Sequence, residues 1–259
     1  RYSASTLLRR SAHFSLGGSW ALSQPDEVQH NLRNFWLDGL FASASDAILL
    51  TYLTLYILAL GATEVQIGMM SALGSLAAML VLLPGAMLVE RTGYRKRLVV
   101  ASGGVPARLM VLLLVLSPFL VQGPGLVFLA IALEVSRQAL GNLALPAWIS
   151  LTGDLVPIAW RGRYFASRNI VMSLANILMV ILMGQVITRA SQPAGYQVAL
   201  AISFAFGITS AFFFSRLKEP PLAPAAPAQR SAFSLEMFRP LVENRPLLMF
   251  CLTAAIWNF

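Results

Sequence analysis

Charge is scarce in this chain of 259 residues. Asp, Glu, Lys and Arg together make up 12% of it, where an ordinary soluble domain carries about a quarter. With 57% hydrophobic residues and a mean hydropathy of +0.70, that scarcity excludes a soluble globular domain and makes the lipid bilayer the chain's first partner. Cys251 is the sole cysteine and lies in an apolar run, so neither a disulfide framework nor a thiolate metal site is available. His13 and His30 both sit in the polar N-terminal segment, which leaves the apolar runs without an axial ligand for haem or a pigment. The two lysines, Lys96 and Lys218, fall in loops and offer no membrane-embedded amine for a Schiff base. No nucleotide-cradling loop, nucleophile–base pair or metal-ligand cluster stands out, which argues against an ATP-driven pump and against an enzyme. No cofactor and no metal are expected.

What the chain does have is long apolar runs. Six are near the length that crosses a hydrocarbon core of roughly 30 Å, at residues 35–60, 66–89, 98–121, 125–149, 169–188 and 196–215. The expected fold class is an all-α membrane protein built on a six-helix transmembrane bundle over 35–215. The second run carries small residues at four-residue spacing, Gly68 with Ala72, Ser71 with Ser75 and Gly74 with Ala78, and reads as a packing helix. Pro106 and Pro146 should bend the third and fourth runs.

The net charge of +8 forms no continuous stripe for nucleic acid; it is a topology signal. Arg1, Arg9, Arg10 and Arg33 precede the first span, Arg91, Arg95, Lys96 and Arg97 follow the second, and Arg161, Arg163 and Arg168 follow the fourth. Arg216, Lys218, Arg230, Arg239 and Arg245 follow the sixth, whereas the opposite connections hold only Arg189. Sixteen bases against one place both ends of the unit in the cytoplasm by the positive-inside rule, and a plasma or inner membrane is the expected location. Residues 1–34 read as a cytoplasmic segment; Arg9-Arg10 is not followed by the apolar stretch that an export signal needs. Residues 216–245 read as a proline-rich cytoplasmic linker with a short interfacial helix at 234–242. The apolar run 246–259 is too short to span and reads as the start of a seventh helix.

One turn concentrates charge. Five of the eight residues from Glu90 to Arg97 are charged, between two uncharged spans. The order Ala86, three residues, Glu90, Arg91, one residue, Gly93, one residue, Arg95, Lys96 resembles the signature loop between the second and third spans of the major facilitator superfamily. Glu90 stands where that family usually has Asp, and Ala86 where it usually has Gly, with Gly85 one position early. The resemblance implies half of a twelve-helix fold that works by alternating access, with two inverted three-helix units in the half. It also implies that Ala86, Glu90, Arg91, Gly93, Arg95 and Lys96 act as a conformational gate. No internal sequence repeat supports the inverted units directly. Arg137 followed by Gly141 is similar to the family's second motif in the fourth span, although Leu140 replaces the usual Gln; that Arg is associated with coupling in proton-driven exporters.

Ionisable groups in hydrocarbon cost about 2.5–3.5 kcal/mol each at a helix centre and so need a reason. Asp46, Arg108, Glu134 and Arg137 all fall near mid-depth of their spans and form a neutral constellation of two acids and two bases. Glu134, Arg137, Gln138, Gly141, Asn142 and Trp148 recur at helical spacing on the fourth span; Asp38, Ser45, Asp46, Tyr52 and Tyr56 share a broad face of the first, and Asn169, Ser173 and Asn176 a face of the fifth. The candidate substrate and coupling residues are therefore Asp46, Arg108, Glu134, Arg137, Asn142 and Asn176. By resemblance, spans one, four and five line the central cavity and span three is peripheral, which makes Arg108 the outlying member. The bland reading of Glu134 and Arg137 is a self-neutralising intrahelical pair, and Asp154, Arg161, Gly162 and Arg163 read as fixing a cytoplasmic turn. Two functions are carried forward: a secondary transporter of a small solute with a candidate coupling proton, and a transporter-fold subunit held by partners in a larger membrane complex.

Overall fold

A computed structural model describes residues 19–219, 244–246, 248–250 and 253. Six helices in it are long and apolar enough to cross a membrane: α1 (Asp26–Ala59), α2 (Glu64–Thr92), α3 (Arg95–Leu120), α4 (Gly125–Leu155), α5 (Arg161–Arg189) and α6 (Ala194–Ser215). There is no strand among the described residues. Every expected span is present, and several run further than hydropathy alone indicates. Asp26, Glu27 and Arg33 belong to α1 itself, because two acids in its first turn suit a helix N-terminus. α5 begins at Arg161 and so takes in Arg163 and Arg168, which read as loop residues in the sequence. The linker and the interfacial helix at 234–242 lie outside the described residues. Beyond them, 245–246, 248–250 and 253 are helical.

Local chemistry sets the helix ends. Thr63 and Gln66 make a reciprocal capping box at the start of α2. Gly93 ends the same helix in the left-handed region at φ +69°, its N–H bonding Val89 O, so the signature loop needs glycine at this point. In α3, Pro106 cannot offer an N–H to Ser102 O, and the preceding turn, Val100–Gly104, widens into a π-helix with Val105 N–H bonded to Val100 O. The expected bend at Pro106 takes this form.

The helices pair in a regular scheme. α1 packs most extensively on α6 and then α5, α4 on α2 and α3, and α3 on α6. Exchanging α1 with α4, α2 with α5 and α3 with α6 maps these pairings onto themselves, as two inverted three-helix units would. Hydrophobicity does not distinguish a neighbouring helix from lipid, so close approach must come from small residues. A Cβ on Gly85 would lie 2.5 Å from Leu143 O, and one on Gly74 would lie 2.5 Å from Gln138 Oε1. These two glycines hold α2 to α4. Gly68 faces open space, so the expected Gly68–Ala72 contact is not the packing seam.

Two apolar cores divide the bundle along its length. One, at the arginine-rich end, gathers Leu32, Phe35, Val99, Ala147, Leu151, Tyr164 and Phe214. The other gathers Ile48, Tyr56, Val111, Leu114, Ala130, Met183 and Leu200 toward the opposite end. Between them every contributing helix passes through a polar layer.

Candidate functional site

That layer encloses a cavity of about 390 Å³. Its charged walls are Asp38 and Asp46 of α1, Arg108 of α3 and Arg168 of α5; Trp148, Met172 and Phe214 supply apolar surface, and Gly103, Gly104, Gly141 and Gly207 leave the walls flat. Asp46 is two helical turns beyond Asp38, a separation of about 12 Å along α1, so the two acids mark the deep and shallow parts of one space.

At the deep part, Arg108 Nη1 donates to Asp46 Oδ1 at 3.0 Å and to Ser45 Oγ at 3.3 Å. Ser45 in turn shares a 3.0 Å hydrogen bond with Ser203 of α6. Arg108 reaches α1 only because α6 presents Gly207 beneath it, where a Cβ would lie 2.6 Å from the Arg108 side chain. The sequence reading of Arg108 as peripheral is therefore corrected: the structure seats it in the cavity wall. The Asp46 side chain is 50% exposed while that of Arg108 is 15% exposed, and only Oδ1 of Asp46 is bonded among the described residues.

At the shallow part, buried Asp38 accepts a 2.7 Å hydrogen bond from Ser210 Oγ and lies 3.8 Å from Arg168 Nη2. The Arg168 guanidinium stacks 4.2 Å from the Phe35 ring centroid, and its Nε donates to Phe35 O. Gly39 makes room for it, since a Cβ there would collide with the guanidinium. Sequence reasoning placed Asp38 on the right face but missed its partner, because Arg168 looked like a loop base. The available signal was Gly39 beside Asp38, together with a helix that starts at Arg161 after Pro157.

Glu134 and Arg137 form a bidentate pair on α4, with both hydrogen bonds at 2.7 Å, and Gln138 Nε2 adds a third to Glu134 at 2.9 Å. Glu134 is buried and Arg137 partly exposed. This pair lies outside the lining of the cavity, as do Asn142 and Asn176. Asn142 donates to Gln138 O of its own helix, and Asn176 is half-buried on α5. Tyr52 and Tyr56 are anchors, donating to Val180 O at 2.6 Å and Leu114 O at 2.9 Å. Asn169 and Ser173 are exposed. The single constellation expected from depth is thus two ion pairs, Asp46–Arg108 and Glu134–Arg137, beside a third, Asp38–Arg168, that lay outside that expectation. Asp38 is also within electrostatic range of Arg108, and Asp46 of Arg137. Arg168, Asp38, Arg108, Asp46, Arg137 and Glu134 alternate in sign along one path.

The charged turn after α2 is partly internal. Arg95 is completely buried: its Nη1 donates to Asp154 at 2.5 Å and to Ser150 Oγ at 3.2 Å, and its Nε donates to Glu219 at 3.2 Å. Glu219 also accepts the backbone N–H of Arg95 at 3.1 Å, placing a carboxylate at the start of α3. Lys96 Nζ donates to Leu217 O, and Asn31 exchanges hydrogen bonds with both Lys218 O and Lys218 N–H. The chain leaving α6 is held to the starts of α1 and α3. Glu90 and Arg91 are exposed, and Ala86 is half-buried beside buried Gly85. Arg161 caps the end of α4 through Gly153 O and Val156 O, and Arg163 stacks on Trp160 at 5.3 Å. The turn after α4 is electrostatically fixed, as its residues suggested.

Compared with known proteins, residues 35–259 match a family model described as Major Facilitator Superfamily. No curated protein and no solved structure matches the chain.

Proposed function

The chain belongs to the major facilitator superfamily of membrane transporters, and from that premise we propose that it supplies one six-helix half of a secondary transporter working by alternating access. The observation that carries this reading is the cavity between two apolar cores, walled by charged groups that a purely structural bundle has no reason to bury. A small solute binds at that depth, between this bundle and a second one. α2 and α5 occupy equivalent places in the pairing scheme, and only 11% of the apolar window of each is buried. Their bare faces, with Leu73, Leu76 and Leu80 on α2 and Leu174, Ile177 and Ile181 on α5, are where the second bundle packs.

The arginine-rich end faces the cytoplasm. Single cysteines at Arg97, Arg163, Glu64 and Gln192 in a Cys251→Ala background test this, since all four positions are exposed. The first two should react from the cytoplasmic side of sealed vesicles and the last two from the other; labelling of all four from one side would overturn the orientation. Arg95 is unsuitable as a probe because it is buried.

Ala86, Glu90, Arg91, Gly93, Arg95 and Lys96 form the cytoplasmic gate. Glu90 and Arg91 project outward while Arg95 anchors the turn inward, so the exposed acid is free to meet a helix N-terminus of the second bundle when the cytoplasmic side closes. In proteoliposomes holding the full-length protein, Glu90→Gln should leave the melting temperature within a degree or two of the parent and slow uptake several-fold. Cytoplasmic cavity cysteines should then label faster, reporting a population moved inward-facing. Unchanged labelling would remove Glu90 from the gate.

A further inference from the structure

Two exposed arginines mark the corner where α3 begins and α6 ends. Arg97 lies 4.9 Å from the Tyr94 ring centroid and Arg216 4.4 Å from that of Phe212, and all four residues are exposed. The corner is one piece of structure, because Lys96 Nζ donates to Leu217 O at 2.9 Å and Glu219 accepts the backbone N–H groups of Arg95 and Lys96. Its acids are committed: Glu219 pairs with Arg95, and Glu27 lies 3.9 Å from Lys218. No carboxylate pairs with Arg97 or Arg216 among the described residues. Each guanidinium is held over a ring at the arginine-rich end of the bundle, with its charge uncompensated by the protein.

An exposed apolar stripe runs along the membrane from each arginine. On α6, Phe212, Ala205 and Val198 follow Arg216 at steps of four and seven residues, which is one face of a helix. On an unbroken α3, Val105, Leu109 and Leu116 would stand about 80–120° round the axis from Arg97. The π turn at Val100–Gly104 absorbs one residue, which brings all four within about 40° of one another. Val105, Leu109 and Leu116 are exposed, and none of them lines the cavity. α3 packs on α4 and α6, so its stripe looks away from the bundle.

Resting on the reading above, in which α2 and α5 meet the second bundle and the arginine-rich end faces the cytoplasm, we propose that the α3–α6 seam binds anionic lipids of the cytoplasmic leaflet. Arg97 and Arg216 take headgroup phosphate oxygens, and the two stripes take the acyl chains. A guanidinium meets a phosphate through parallel N–H bonds and is less strongly hydrated than an ammonium. Its ring neighbour fixes its position before the lipid arrives, so less side-chain freedom is lost on binding. A zwitterionic headgroup brings its own cation to the same place and is attracted less. Free phosphate has no chains for the stripes.

The test measures lipid contact at the seam itself. Val105→Cys, two turns from Arg97 on the α3 stripe, is labelled with dansyl in an otherwise cysteine-free full-length protein; Leu116→Cys, on the same stripe in the opposite leaflet, is the matched control. In phosphatidylcholine vesicles each label is quenched with phosphatidylcholine or phosphatidylglycerol carrying brominated chains. The Val105→Cys label should report a preference for phosphatidylglycerol of at least about five-fold, and the Leu116→Cys label none. Arg97→Gln and Arg216→Gln should each reduce that preference and the double variant should abolish it. Melting temperatures in pure phosphatidylcholine should not change, since neither arginine carries an ion pair. Arg163→Gln removes the same charge from the same end of the bundle and should leave the preference intact. Equal quenching by the two lipids at Val105→Cys, the same preference at Leu116→Cys, or an equal loss in Arg163→Gln would overturn the proposal. So would abolition of the preference by inorganic phosphate in the buffer, which would assign the corner to the free ion. Failure of the bundle arrangement looks different. If the second bundle covers this seam, neither brominated lipid quenches the Val105→Cys label, and the lipid site falls together with the packing on α2 and α5; equal quenching by both lipids removes the lipid site alone.

Discussion

Arg95→Ala should cost about 3 kcal/mol of stability and should lower the yield of folded protein more than any other single change in the charged turn. The guanidinium is completely enclosed, and it joins the start of α3 to the end of α4 and to the chain leaving α6, through Asp154, Ser150 and Glu219. Removing it opens a void and withdraws the counter-charge from two carboxylates. The expected figure lies at the low end of the about 3–5 kcal/mol for broken buried pairs, because the Asp154 side chain is 52% exposed and can be hydrated, and Glu219 keeps the α3 amides. Arg95→Lys should recover only part of the loss: an ammonium is a point charge, and two carboxylates on different segments need a fork. Asp154→Asn should cost about 1 kcal/mol, since Glu219 still neutralises the arginine. Thermal unfolding of the three variants in detergent gives the order directly. Equal melting temperatures for Arg95→Ala and the parent would show that the buried guanidinium holds nothing together.

That network also shows how far the sequence could be read. The six spans were legible because a run long enough to cross a bilayer leaves few other interpretations, and the loop glycine was legible because Gly93 sits where a helix must stop with positive φ. The burial of Arg95 was not, since its acids come from the end of α4 and from beyond α6, and only the fold brings them together. Arg108 was misjudged for the same reason: its path to Asp46 depends on Gly207 of another helix. Arg168 was misread for a different one. A base near the end of a span lowers local hydropathy and looks like a loop, although a partner on α1 keeps it in the helix. Composition along a single helix shows which residues are costly; it does not show which helix supplies the compensating group.

Glu134→Gln should be the most damaging single change in the polar layer, and its rescue pattern separates a coupling site from a structural pair. The substitution leaves Arg137 without the acid that holds it at two 2.7 Å contacts, a buried-pair break of about 3–5 kcal/mol. Arg137 is partly exposed and Asp46 is within electrostatic reach, so we expect the lower end of that range, seen as reduced expression and a lower melting temperature. The double replacement Glu134→Gln with Arg137→Gln leaves no uncompensated charge, and Gln138 can still donate to the new amide oxygen, so folded protein should recover. Transport should not. In the alternating path Arg168, Asp38, Arg108, Asp46, Arg137, Glu134, the last two are the pair that a coupling role would separate and rejoin as the site opens and closes. The double variant keeps the bundle and removes that pair. Asp46→Asn should behave differently, keeping the Glu134 pair and losing solute affinity. The measurement is uptake into proteoliposomes with and without an imposed proton gradient, beside the melting temperature of each variant. Recovery of gradient-driven uptake in the double variant, in step with its stability, would reduce Glu134 and Arg137 to a bridge that holds α4 in register and would move coupling elsewhere along the path.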